Sequence, residues 1–128
     1  MRGGGAGDSA LLQDLSVLRS AIDLYQIENG GSYPTAANMP GTLLQYSDGN
    51  GNVSPTNTAP FIYGPYLQAI PPLPVGEAKG SVGIAVLGGG SSTQPSGIGW
   101  NYNLSTGKIK ANTGRDEVDA KGTAYNTY

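Results

Sequence analysis

The chain has 128 residues and a formal net charge of −2, with 12% charged residues, 21 glycines and neither cysteine nor histidine. Without Cys or His there is no disulfide framework, no zinc thiolate or imidazole site, no thiol nucleophile and no Ser-His-Asp relay. The cations (Arg2, Arg19, Lys79, Lys108, Lys110, Arg115 and Lys121) are scattered and form no basic stripe for phosphates, so nucleic-acid binding is not expected, and no apolar run is long enough to span a bilayer.

A chain of this size buries roughly two-thirds of its unfolded surface, enough for one modest core. Residues 1–7, Met-Arg-Gly-Gly-Gly-Ala-Gly, read as a flexible leader and 8–128 as a single domain. The first element is a helix. Asp8 or Ser9 is the expected cap, and Leu11, Leu15, Leu18, Ile22 and Tyr25 follow at spacings of four and three, one continuous stripe on a 3.6-residue period. Val17, Ala21, Leu24 and Ile27 widen or flank that stripe, which hints at a second packing partner beyond the sheet. Asn29-Gly30-Gly31 stops the helix, and Pro34 forces Tyr33 into an extended exit that folds back on the helix end.

Thr42 to Tyr46 reads as either a helical turn or a short strand. Asp48-Gly-Asn-Gly-Asn52 has oxygen side chains at alternate positions, as calcium loops do. Val53 and Ala59 stand where an EF-hand needs Gly and a bidentate Glu, so a plain turn is expected. Phe61, Ile62, Tyr63, Tyr66, Leu67 and Ile70 make an aromatic patch punctuated by prolines, expected to pack at a sheet edge. Ser81–Leu87 reads as a strand and Gly88–Ser96 as a hairpin or loop, with no Gly-Lys-Ser/Thr to make a P-loop. From Ile98 to Leu104, Ile98, Trp100, Tyr102 and Leu104 share one face, with Gly99, Asn101 and Asn103 opposite, the pattern of a half-buried antiparallel strand. Ser105-Thr106-Gly107 turns it back into Lys108–Asn112, with Ile109 and Ala111 inward and Lys108 and Lys110 on the other face. Tyr33, Trp100, Tyr102 and Ile109 are the expected structural core of this half. The fold class is therefore α+β: a long N-terminal helix packed on a small, mostly antiparallel sheet.

Three segments carry a resemblance to a known family. Leu18-Arg-Ser-Ala-Ile-Asp-Leu-Tyr-Gln-Ile-Glu-Asn-Gly-Gly-Ser-Tyr-Pro-Thr35 resembles the end of the long helix and the following turn of type IV pilin-like proteins, above all the major pseudopilins of type II secretion systems. Gly64-Pro-Tyr-Leu-Gln-Ala-Ile-Pro71 with Pro74 resembles their Gly-Tyr-Leu…Leu-Pro…Pro segment, and Gly99-Trp-Asn-Tyr-Asn-Leu-Ser-Thr-Gly107 is similar to a pilin-like hairpin. The three occur in family order. The Gly-Phe-Thr-Leu-Ile-Glu-Leu signature of the apolar half-helix does not occur, and the Gly/Ser/Asn loops at 48–58 and 88–97 depart from the compact major form.

The resemblance implies the soluble headpiece of a filament subunit. Such a subunit is anchored in the bacterial inner membrane, facing the periplasm, through an apolar half-helix that is missing here. It assembles with copies of itself, other pilin-like subunits and inner-membrane machinery, or stands in an extracellular filament. Leu11, Leu15, Leu18, Ile22 and Tyr25 are then the expected filament-packing residues, with Asp14, Arg19 and Asp23 available for ion pairs between subunits. The resemblance also implies a calcium ion near the C-terminal loop, for which Asp116 and Asp119 are the positions that carry over. An enzyme is not expected: the six Asp and three Glu residues fall mainly in loops or along the helix. The alternative is a small secreted glycan- or peptide-binding module, which needs Tyr63, Tyr66, Tyr102, Tyr125 and Tyr128 on one exposed face.

Overall fold

The computed structural model describes residues 5–34, 41–87, 97–103, 106–114 and 116–128. Helix α1 runs Gly5–Glu28, α2 is the single turn Gly41–Leu44, and the strands are β1 Tyr46–Ser47, β2 Val53–Ser54, β3 Gly83–Leu87, β4 Ile98–Asn103 and β5 Lys108–Ala111. A 3-10 turn, Tyr125–Thr127, closes the chain. Among the described residues, no helix is long and apolar enough to cross a membrane.

The helix starts at Gly5, earlier than Asp8 or Ser9 would place it, so Asp8 lies in the first turn. Its carboxylate turns to the C-terminal segment: Oδ1 accepts from the Tyr125 hydroxyl at 2.5 Å and Oδ2 from the Ala120 amide at 3.1 Å. At the other end, Gly30 takes φ +69° and the Gly31 amide donates to the Gln26 carbonyl at 2.8 Å, the six-to-one bond of a Schellman stop. A residue with a Cβ is strained at that φ, which is why glycine stands there.

Leu11, Leu15, Leu18 and Ile22 meet Trp100, Tyr102, Ile109 and Ala111 from the sheet, and Leu43, Ile70, Leu73 and Val75 from the long connection, in one cluster. The indole N–H of Trp100 donates to the Pro71 carbonyl at 2.8 Å, and the Tyr102 hydroxyl to Pro34 at 2.9 Å, so both large rings enter the core with their polar atoms satisfied. Tyr33 is half-buried against the same cluster.

The main sheet has the order β3-β4-β5. β4 and β5 form the antiparallel hairpin, with Trp100 opposite Ala111 and Tyr102 opposite Ile109. β3 departs from the expectation of antiparallel pairing. It runs parallel to β4, Ile84 beside Trp100 and Val86 beside Tyr102, and the sheet is mixed. The connection at 88–96 lies outside the described residues, as do Leu104 and residues 36–40. β4 is the central strand, paired along both edges, and its second face is also buried. Asn101 is buried with Trp100 and Tyr102, so β4 is not the half-buried strand its alternation predicts.

The segment 42–46 contains both readings in succession, the turn of α2 and then β1. β1 pairs antiparallel with β2 across the Asp48–Asn52 turn. The Asp48 carboxylate holds that turn: Oδ1 accepts from the Asn50 and Asn52 amides at 2.8 and 3.1 Å, Oδ2 from the Asn52 side-chain amide at 2.8 Å. These bonds, the Asn52 side chain first, keep its carboxyl below the ordinary value.

Candidate functional site

Helix α1 presents two faces of different use. Leu11, Leu15 and Leu18 are 0% exposed, Ile22 1% and Tyr25 2%. The stripe expected to pack between subunits is thus buried within the domain. The stripe closes against the sheet and the 70–75 connection in the domain's own core. The residues left for a neighbour are the flanking ones: Val17, Leu24 and Ile27 are 43%, 46% and 74% exposed, and Leu12 is 57% exposed. Val17, Leu24 and Ile27 are spaced by seven and three, which aligns them along the helix away from the buried stripe. A shallow groove of about 330 Å³ runs beside them, between Val17, Ala21 and Leu24 on the helix and Tyr66–Leu67 on the connection.

The far end of α1 is tied down by Asn29. Its Nδ2 donates to the Tyr25 carbonyl at 2.9 Å and lies 3.3 Å from Ser47 Oγ and 3.4 Å from Tyr66 Oη, while its Oδ1 accepts from the Gly51 amide at 3.1 Å. Ser47 Oγ and Tyr66 Oη share a further bond of 3.0 Å. Burial is the main cause that pushes the Tyr66 phenol up to about 12. The sequence reading took Asn29 as a helix stop only. A buried Asn is recognisable by its partners, and those are 18 to 37 residues away in the chain.

A second concavity, about 420 Å³, opens between α1, the β4–β5 turn and Tyr128. Arg19 and Asp23 line it from the helix, Tyr33 and Gly107 from its floor, Lys108 and Lys110 from β5. Arg19 turns to the main chain of its own domain. Its Nη2 donates to the Ile109 carbonyl at 3.1 Å and to the Tyr128 main-chain oxygen at 2.7 Å. Asp23 stays exposed, and partial burial raises the Asp14 carboxyl above its ordinary value.

The two aspartates named for calcium have separate fates. Asp116 is exposed, whereas Asp119 is buried and its oxygens face donors. Oδ1 accepts from the Lys121 and Thr123 amides at 2.9 and 2.8 Å, and Oδ2 from the Tyr128 hydroxyl at 2.5 Å. The Tyr128 bond, followed by the Thr123 amide, lowers the Asp119 carboxyl; the same bond raises the Tyr128 phenol. Among the described residues, no group of three or more acidic side chains is placed to hold a metal ion. Asp119 instead shapes the 119–123 turn and fastens the last residue to it. Compared with protein-family models, curated proteins and solved structures, the chain gives no match.

Proposed function

We propose that the chain is the headpiece of a pilin-like filament subunit that assembles through the outward face of α1. The observation that supports this reading is the division of that helix. One face is consumed by the core; elsewhere on the helix Val17 and Leu24 are exposed beside a shallow groove that Ser16 and Ser20 also line, and Leu12 and Ile27 are exposed as well. The order of the three resembling segments adds to it. The binding-module alternative has less support, because Tyr102 and Tyr125 lie in the core and do not share an exposed face with Tyr63.

The chain has no cysteine, so single substitutions report contacts cleanly. Leu24→Cys and Ile27→Cys, each introduced singly into the complete gene product in its own cells, are expected to give disulfide-linked dimers in the sheared surface or periplasmic fraction. Leu24→Glu, added to the Ile27→Cys variant, is expected to abolish its dimer while leaving the thermal midpoint of the purified domain unchanged. Recovery of only monomer from every fraction, with both cysteines reactive to a thiol reagent, would overturn the reading.

A further inference from the structure

We propose that the cleft between α1, the β4–β5 turn and Tyr128 binds small ligands bearing an oxyanion, carboxylate or phosphate, through Arg19, Lys108 and Lys110. The inference does not rest on the filament reading.

Three features meet there. The first is charge: Arg19, Lys108 and Lys110 supply three cations, against Asp23 and the terminal carboxylate of Tyr128 among the described lining residues, in a chain whose net charge is −2. The field of the cleft therefore opposes that of the molecule and draws anions to one place. The second is a donor held in position. Arg19 donates from Nη2 to the Ile109 carbonyl and to the Tyr128 main-chain oxygen, which anchors that end of the guanidinium. Its other N–H groups have no partner among the described residues, and a planar fork with spare donors suits a carboxylate or phosphate. The third is shape. A volume of about 420 Å³ holds a small molecule, and the Tyr33 ring gives it an apolar wall, packed so closely on Gly107 that a Cβ there would fall 2.4 Å from the ring. Strand alternation brings Lys108 and Lys110 to the same side, with Ile109 between them turned into the core. Three cations around one cavity suit a small anion; a polyanion needs an extended track.

The test is an amide NMR titration of the whole chain with two probes, inorganic phosphate and acetate, at constant ionic strength held with chloride. Saturable shifts are expected at Tyr33, Gly107, Lys108 and Lys110. In the double variant Lys108→Ala/Lys110→Ala, affinity should fall about tenfold or more. Those lysines are exposed or half-buried, so an otherwise unchanged amide spectrum serves as the folding control. Tighter phosphate binding supports the proposal with a phosphoryl ligand; tighter acetate binding supports it with a carboxylate ligand. No saturable shift with either probe, or equal affinity in the folded double variant, overturns it.

Discussion

Asn29 and Gly107 show how much a single small residue decides in this molecule. Asn29 joins the end of α1 to β1, to the Asp48 turn and to Tyr66, with its own side chain 3% exposed. Asn29→Ala removes acceptor and donor together from a buried site, so a loss of about 2–3 kcal/mol is expected in denaturant unfolding. A loss within error would mean that water replaces the amide. Gly107 sits at φ +70° beneath the Tyr33 ring, and an added Cβ has both a strained backbone and no space. Gly107→Ala should cost about 1–3 kcal/mol, and Tyr33→Ala in the same chain should recover part of it. Purely additive effects would show that backbone strain acts alone.

At the scale of the element, α1 and the C-terminal segment make opposite kinds of contact. α1 works by area. Leu15→Ala, at a fully buried site, is expected to cost about 2–5 kcal/mol, whereas Leu12→Ala, on the outward face, should fall within about 0.5 kcal/mol of the parent. Equal costs would show that the two faces are not divided as described. The C-terminal segment works by polar fastening: Asp8 to Tyr125, Asp119 to Tyr128, and Arg19 to the Tyr128 main chain. The Asp119 carboxyl is lowered in the folded chain, so its contribution is present above the ordinary value of 3.8 and is lost as pH falls through the lower folded value. Asp119→Asn should therefore be less stable than the parent near neutrality and should converge with it in acid. Parallel stability curves across that range would count against the charged form of Asp119 as the fastening group.

For the whole molecule, the aromatic core sets an alkaline limit. Burial pushes the phenols of Tyr66 and Tyr102 up to about 12, because a buried tyrosinate lacks solvation. Raised values favour the folded state fully below the ordinary value of 10, and that contribution is lost as pH rises through about 12. Tyrosinate absorbance and far-UV circular dichroism should show a late set of phenols ionising together with the loss of secondary structure. Complete ionisation with the fold intact would mean that these rings reach solvent by local opening. The groove beside Val17 and Leu24 and the cleft beside Arg19 share no lining residue, so filament contact and anion binding are separable by mutation.

Much of this architecture is legible in order along the chain. The 3.6-residue spacing of Leu11, Leu15, Leu18, Ile22 and Tyr25 specifies a helix with one buried face, Asn29-Gly30 ends it, and the run from Ile98 to Ala111 specifies a hairpin with Trp100, Tyr102 and Ile109 inward. These are local signals: periodicity and turn chemistry act within a few residues of one another. What the tertiary structure decided is how the faces are shared. Periodicity shows that α1 has an apolar stripe but not whether the stripe is spent inside the domain, and the burial of Leu11 to Tyr25 transfers the exposed role to Val17, Leu24 and Ile27. The parallel pairing of β3 with β4, the burial of Asn101, the turn of Asp8 toward Tyr125 and the meeting of Arg19 with Lys108 and Lys110 are of the same kind. Each joins residues far apart in the chain, where no local preference acts and only the competition for one small core and its polar partners selects the contact.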